Sequence, residues 1–163
     1  MSAMHIFEIL LLLAVVFFIV RSVYIETSHR KKGPYIKISV YSGIAIFNII
    51  LVLLILVFGM VSIKSSGGTI LDASSIYILI PIIFIIYQVV LSLRFTFCQD
   101  GICYLGQFYS YKKIKGVQIS PIKDKFNIIV FTNKATLTFK VSKNNKFLVE
   151  ETFKKYRIKI TRL

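Results

Sequence analysis

The chain has 163 residues, of which 56% are hydrophobic and 17% charged, and its mean hydropathy is +0.74. Soluble domains are about 45–50% apolar and about 25% charged, so the composition excludes an ordinary soluble globule, a disordered chain and a secreted disulfide scaffold. Lys and Arg number 21 against 7 Asp and Glu, a formal net charge of +14. Such an excess favours an anionic partner, either a phospholipid surface or nucleic acid.

Three apolar segments follow one another in residues 1–93, at about residues 6–25, 38–63 and 75–93. Roughly 20 residues of helix cross a hydrocarbon core of about 30 Å, and backbone amides in lipid must bond within their own segment. The sequence therefore predicts a region of three transmembrane helices. A cleaved signal peptide is disfavoured for the first segment, because no Lys or Arg precedes it and Arg21 directly follows its uninterrupted apolar run, which ends at Val20.

The basic residues predict how these helices are oriented. The predicted outer loop, residues 64–74, contains one Lys, one Asp and the flexible stretch Ser65-Ser66-Gly67-Gly68. The loop between the first two segments instead contains one Glu and five basic residues: Arg21, Arg30, Lys31, Lys32 and Lys37. Because cytoplasmic loops carry the excess of Lys and Arg, we expect a multi-pass protein of the cell membrane with its N-terminus outside and its C-terminus in the cytoplasm.

Residues 94–163 have a different pattern, with 15 basic and four acidic side chains, or +11 of the net charge. Alternating segments separated by turns predict six strands: Arg94–Cys98, Ile102–Leu105, Phe108–Tyr111, Val117–Ile119, Phe126–Phe131 and Ala135–Val141. Asp100-Gly101 predicts a type I′ turn, and Pro121 is expected to break the chain after the fourth strand.

A helix is predicted after the last strand. Ser142 can cap its first turn, and Val149, Phe153 and Tyr156 then share one face. The tail is thus predicted to form a small α+β cytoplasmic domain, in which one C-terminal helix closes a small curved antiparallel sheet.

The turns and aromatic residues of this tail resemble a known fold. The similarity involves Asp100-Gly101-Ile102, Gly106-Gln107-Phe108, Tyr111 with Ile114-Lys115-Gly116, and the closing helix Glu150–Tyr156. With these features, residues 94–160 resemble bacterial pleckstrin-homology-like (PH-like) domains. The whole chain resembles an uncharacterised family of small Gram-positive bacterial membrane proteins in which such a domain follows the helices. The resemblance implies a fold and a topology, and no ligand.

No catalytic or metal-binding pattern is apparent. A two-residue Asp100-Gly101 turn would place Cys98 opposite Cys103, where a packing pair is favoured over a disulfide because the predicted compartment is reducing. Two cysteines without a nearby His make a poor zinc site. His5 and His29 have no Ser, Cys or carboxylate partner nearby in the sequence, so we expect solvated or interfacial side chains. We therefore predict no enzyme activity, no cofactor and no metal site.

Transport is also disfavoured. Asn48 and Gln88 are the only amides inside the apolar segments, and neither side chain is ionisable. Amides at such positions often bond neighbouring helices, whereas ion coupling requires ionisable groups at mid-depth.

The basic residues have three interpretations. We rank contact with the anionic inner leaflet first, followed by a solvated basic surface. Nucleic acid comes last, because Tyr109 and Tyr111 alternate as strand core residues do. The expected headgroup contacts are Arg30, Lys31, Lys32, Lys112, Lys113 and Lys115.

We therefore predict a non-enzymatic integral membrane protein whose basic cytoplasmic PH-like domain is a membrane-tethered interaction module. A groove or a sheet edge of this domain would receive a protein partner. The alternative is an immunity protein against a membrane-active bacteriocin or secreted toxin, and a third possibility is an accessory subunit of a larger membrane complex. The sequence leaves these alternatives and the oligomeric state open.

Overall fold

The computed structural model describes residues 3–65 and 76–162. In chain order the elements are α1 (Ala3–Arg30), β1 (Ile36–Ser39), α2 (Gly43–Ser65), α3 (Ile76–Ser92), β2 (Arg94–Phe97), β3 (Gly101–Tyr104), β4 (Gln107–Ser110), a short 3-10 helix (Tyr111–Lys113), β5 (Ile114–Ile122), β6 (Lys125–Thr132), β7 (Thr136–Ser142), α4 (Lys143–Lys155) and β8 (Ile160–Arg162). Of the predicted outer loop, residues 66–74 lie outside the described part of the chain, as does the side chain of His5.

The first three helices are apolar. Among the described residues, Ile9–Arg30 and Gly43–Ser62 are long and apolar enough to cross a membrane, whereas the apolar part of α3, Leu79–Ser92, is shorter. Only 11% of each long window is buried, so most of its apolar side chains lie on the surface of the protein. α3 packs against both other helices, and the rings of Phe18 in α1 and Phe84 in α3 are 6.3 Å apart.

The first two helices differ in extent from the prediction. α2 begins at Gly43 rather than near residue 38, because residues 36–39 form β1 and pair antiparallel with β2. α1 continues to Arg30, beyond the predicted end at residue 25, since its last turns pack against the sheet that contains β4. The α+β domain thus takes one strand from the loop between the first two helices, which the sequence-based division at residue 93 placed in the transmembrane region.

Two four-stranded sheets form the α+β domain, where one curved sheet was predicted. The first sheet is antiparallel with the order β1-β2-β3-β4, and the second has the order β7-β6-β5-β8 with β8 parallel to β5. Alternate side chains of both sheets point into one core. There the rings of Phe95 and Phe139 lie 4.5 Å apart, and that of Phe97 lies 5.4 Å from Phe153 of α4.

The strand β5 continues through Pro121, which was expected to break the chain. Residues 117–119 pair with both β6 and β8, but Pro121 pairs with Phe126 of β6 alone. Proline lacks a backbone N–H, and it fits a strand where one edge is unpaired. The strand β8 was not predicted.

The β2–β3 turn also differs from the prediction. Its loop is Gln99-Asp100, since the Cys98 amide donates to the Gly101 carbonyl at 2.8 Å. The positive φ angles that a type I′ turn needs occur between β3 and β4, at Leu105 (51°) and Gly106 (71°). The predicted hairpin around residues 132–134 and the cap of α4 by Ser142 are both confirmed.

One end of the domain adjoins the apolar helices. α2 leaves the domain at Gly43 and α3 returns to it at Ser92. The Val40 amide donates to the Leu93 carbonyl at 3.0 Å, which places these two helix ends at the same level. We call this the helix end of the domain and the opposite one the far end.

The long strands of the second sheet run from the helix end to the far end. Tyr41 and Lys140 exchange backbone hydrogen bonds of 2.7 and 2.8 Å, and the Asn145 side chain of α4 donates to the Ser39 carbonyl at 3.1 Å. The β5–β6 turn and the start of α4 therefore lie at the helix end. The β2–β3 turn, the 3-10 helix and the end of α4 lie at the far end.

Candidate functional site

A groove of about 930 Å³ lies between α4 and the first sheet, near the far end. Segments that are distant in the sequence contribute to this groove. The α4 wall comprises Leu148, Glu151, Thr152 and residues 154–156, and the opposite wall comprises Pro34, Ile36, residues 97–99 and Tyr111. The groove therefore forms only when β1 and β2 pack beside α4.

A pair of stacked tyrosines forms part of the groove. The ring centres of Tyr111 and Tyr156 are 3.7 Å apart and their planes differ by 16°. The Tyr111 hydroxyl donates to the Cys98 carbonyl at 3.0 Å, which ties the stacked pair to the end of β2. Burial raises the pKa of Tyr111, so its hydroxyl stays neutral and keeps this hydrogen bond.

The rim of the groove is mainly basic. Lys154 and Lys155 are exposed at the end of α4, and Glu151 is the exposed acidic side chain in the same wall. Two positive charges and one negative charge beside an aromatic surface suit an extended segment that carries apolar and acidic side chains.

His29, at the end of α1, is held by residues that are distant in the sequence. Its Nδ1 atom lies 3.2 Å from Asp100 Oδ2, and Lys32 Nζ lies 3.4 Å from the same oxygen. The Phe108 ring stacks on the imidazole with centres 3.5 Å apart and planes 6° apart. His29 has no carboxylate partner nearby in the sequence, as predicted, but folding brings Asp100 of the β2–β3 turn to the end of α1, so the imidazole is paired and partly buried rather than solvated. The cluster fixes α1 against the first sheet.

The predicted headgroup contacts lie toward the far end. Arg30 is partly exposed and bound to its neighbours: its Nη2 atom donates to the Tyr35 hydroxyl at 2.6 Å and its Nη1 atom lies 3.7 Å from Glu26. Lys31 is exposed, and Lys32 is paired with Asp100.

The second predicted group lies at the same end. Lys112 and Lys113 are exposed on the 3-10 helix, and Lys115 is exposed at the start of β5. The Tyr111 amide donates to the Asp100 carbonyl at 3.2 Å, so the 3-10 helix adjoins the turn that binds Lys32. The structure thus brings the two predicted groups together at the end of the domain opposite to the start of α2.

The two cysteines form a buried thiol pair. Thr96 rather than Cys98 lies opposite Cys103, so the predicted register is corrected, and the cysteines are diagonal neighbours. Both thiols are free, and their Sγ atoms are 3.9 Å apart. The hydrogen bond with Cys98, together with burial, raises the pKa of the Cys103 thiol.

The sequence predicted a groove or a sheet edge as the binding surface without naming the residues that line it. The periodicity of α4 buries Val149 and Phe153 and leaves Glu151, Lys154 and Lys155 on the open side, so this wall can be read from the sequence. The opposite wall includes Pro34 and Ile36, which are far away in the chain and were both expected in the loop before the second helix. No local signal connects them with α4.

Among the described residues, no group of three His, Cys, Asp or Glu side chains could hold a metal ion. Comparisons with protein-family models, curated proteins and solved structures found no match. The groove, with its stacked tyrosines and basic rim, is the feature from which we infer a function.

Proposed function

We propose that this is a non-enzymatic multi-pass membrane protein whose basic cytoplasmic domain is a membrane-tethered interaction module. Three helices would hold the domain at the inner leaflet, and the groove beside α4 would receive an extended segment of a protein partner. The position of the groove carries this proposal: its lining residues lie near the far end, away from the start of α2 and the end of α3, where a cytoplasmic protein can reach it.

The chain path supports a third crossing. α3 has 17 described residues, about 25 Å of helix, which is shorter than a hydrocarbon core of about 30 Å. However, α2 leaves the domain at its helix end and α3 re-enters at the same end. If α2 crosses the membrane, the chain must return to the same side, and α3 is the described apolar segment that can do so.

Two further parts of the proposal rest on charge and connectivity. Most of the +14 charge belongs to the tail and to the loop between α1 and α2, which favours a cytoplasmic location for both. A PH-like fold is supported by two packed sheets made of β2–β4 and β5–β7 and followed by α4. In that interpretation β1 and β8 are additions to the sheet edges.

Site-specific photocrosslinking of the full-length protein in cells tests the groove. A photoreactive residue at Glu151 should crosslink to a discrete protein, whereas the same residue at Asn133, exposed in the β6–β7 turn, should not. Reversal of the basic rim by Lys154→Glu and Lys155→Glu should lower the crosslink yield by about tenfold, because two favourable charge contacts become repulsive.

The matched control is Lys134→Glu with Lys159→Glu, which reverses two exposed charges outside the groove. This control variant should leave the crosslink yield unchanged. The cytoplasmic location is tested separately: a reporter enzyme that works only in the cytoplasm should be active when it is fused to the C-terminus. Equal crosslinking from the groove and turn positions, or equal loss in both double variants, would contradict the assignment of the groove.

A further inference from the structure

We propose that the helix end of the domain is a docking surface for anionic phospholipid headgroups of the bilayer that α2 crosses. This inference rests on the proposed membrane insertion and adds a defined contact between domain and lipid. The surface, which we call the helix-end patch, consists of Tyr41, Ile122, Lys123, Lys140, Lys143 and Phe147.

The backbone places this patch beside the start of α2. Tyr41 is two residues before Gly43, so the two Cα atoms are at most about 7.6 Å apart. Backbone hydrogen bonds join Tyr41 to Lys140, and Lys125 Nζ lies 3.4 Å from the centre of the Tyr41 ring. Since Gly43 begins the apolar window of α2, these residues would lie at the depth of the headgroups.

The β5–β6 turn and the first turn of α4 complete the patch. Lys125 follows the β5–β6 turn and lies opposite Ser142 in the pairing of β6 with β7, and Ser142 caps α4. Lys146 Nζ lies 4.2 Å from the centre of the Phe126 ring, which binds the helix to the hairpin. Ile122 and Lys123 at the turn and Lys143 and Phe147 on the helix are therefore presented side by side.

The patch exposes large apolar side chains although it belongs to a folded domain. Phe147 is 63% exposed, Tyr41 is 50% exposed and Ile122 is 39% exposed. Aromatic side chains at the start of a membrane segment sit at the level of the headgroups, where an apolar ring and a polar edge are both satisfied. A bilayer surface would cover these three side chains.

The charge of the same region identifies the kind of lipid. Lys123, Lys140 and Lys143 are exposed, Lys125 and Lys146 lie just behind them, and the acidic side chain in the turn is Asp124. Since Lys146 is paired with Glu150 at 3.6 Å, the other four lysines against one aspartate make the region basic. Lysines held close to an anionic leaflet are attracted to it, whereas those beyond about one Debye length, roughly 8–10 Å, are screened.

That screening favours the helix-end patch over the residues predicted from the sequence. Lys115 lies near the opposite end of β5 from Ile122, seven residues or about 23 Å along the strand. Lys112 and Lys113 precede it and lie at the far end as well. These lysines belong to the solvent-facing end of the domain when α2 spans the bilayer.

A single tryptophan can report the contact, because the chain contains no Trp. We would reconstitute full-length Phe147→Trp and Phe131→Trp variants in phosphatidylcholine vesicles, with and without roughly 30 mol% phosphatidylglycerol, with spin labels at headgroup depth. Phe131 is 37% exposed near the far end of β6 and is the control position. In the anionic vesicles we expect at least about threefold stronger quenching for Phe147→Trp than for Phe131→Trp.

Two lysine triples provide a matched comparison in the Phe147→Trp background. Lys123→Gln, Lys140→Gln and Lys143→Gln together should lower the quenching toward the level seen without phosphatidylglycerol. Lys112→Gln, Lys113→Gln and Lys115→Gln together remove the same charge at the far end and should leave it unchanged.

Three results would overturn the proposal: equal quenching at both tryptophan positions, quenching that does not depend on phosphatidylglycerol, or loss caused by the far-end triple instead. Extraction of the same vesicles with alkaline carbonate separates this inference from the proposed function. A protein released by carbonate is not membrane-inserted, and the proposed function then fails. A protein that remains inserted but shows no selective quenching overturns the docking surface alone.

Discussion

Tyr111 connects three parts of the far end through one side chain. Its ring stacks on Tyr156 after α4, its hydroxyl donates to the Cys98 carbonyl, and its amide donates to the Asp100 carbonyl. Because the side chain is buried, the neutral phenol is favoured over the phenolate, and the pKa of Tyr111 is raised. A single titratable residue thus connects the groove to the β2–β3 turn.

The raised pKa of Tyr111 predicts a loss of stability at alkaline pH. In the unfolded chain tyrosine ionises near about pH 10, so its contribution to stability is fully present below that pH and is lost as the pH rises toward the higher folded pKa. Tyr111→Phe removes the ionisable group and should make the fall in the free energy of unfolding above about pH 10 shallower. Urea unfolding of the detergent-solubilised protein, followed by circular dichroism from about pH 8 to about pH 11, measures this change.

At neutral pH the same substitution should cost about 1 kcal/mol, because the Cys98 carbonyl loses its side-chain donor. Tyr24→Phe, at an exposed position on α1, is the control. It should change neither the free energy of unfolding at neutral pH nor the steepness of its alkaline fall. An alkaline fall as steep in Tyr111→Phe as in the unsubstituted protein would assign the effect to other groups, such as Tyr104 and Tyr109, whose pKa values burial also raises.

At the scale of elements, α1 and the β3–β4 turn depend on each other. Gly106 in this turn has a φ of 71°, and a Cβ atom there would collide with the Ser22 side chain of α1. At the other end of β3, a Cβ atom on Gly101 would collide with the Tyr109 carbonyl and the Phe108 ring, which stacks on His29. Small residues therefore let the first sheet lie close to α1 at both ends of one strand.

Gly106→Ala should lower the free energy of unfolding by at least about 1–2 kcal/mol, the cost of the left-handed conformation alone. Contact with Ser22 adds to this loss. Combining Gly106→Ala with Ser22→Ala should restore part of it, with a coupling energy of about 0.5–1 kcal/mol. The four proteins of this double-mutant cycle can be compared by urea unfolding, and strictly additive effects would show that the turn and the helix are independent.

At the scale of the whole molecule, α1 is both an apolar helix and a cover for the first sheet. Ile25 and Glu26 border the small gap next to Cys103, and Lys37 Nζ of β1 lies 3.3 Å from Glu26 Oε1. The His29 cluster holds the end of the same helix. The two thiols beneath are buried, with exposures of 3% for Cys98 and 6% for Cys103.

This cover predicts that thiol reactivity reports the docking of α1. Maleimide should label the native protein slowly, because both thiols are buried. His29→Ala with Phe108→Ala removes the stacked pair and should raise the labelling rate by about tenfold through more frequent opening of α1. Phe131→Ala, an exposed aromatic residue distant from α1, should label at the rate of the unsubstituted protein, and equal rates in all three proteins would contradict the role of α1.

Local patterns predicted those elements whose stabilising contacts are close in the chain. The structure contains two long apolar helices, the β6–β7 hairpin and the Ser142 cap, as predicted. Each of these features is determined by residues that are close together in the sequence. The α+β character of the tail follows in the same way, from a period of two along the strands and a period near 3.6 in α4.

Only the tertiary structure determined which distant residues meet. Residues 36–39 are apolar enough to extend α2, but pairing with β2 satisfies their backbone as a strand. Asp100 suits a turn, yet packing of α1 across the first sheet makes it the partner of His29. The sequence does not distinguish Lys115 from Lys123 as contacts for a membrane. The direction of β5 places Lys123 beside the start of α2 and Lys115 at the far end. Charge and hydropathy are properties of each residue, whereas a groove or a docking surface requires contacts between segments whose register depends on packing in the shared core.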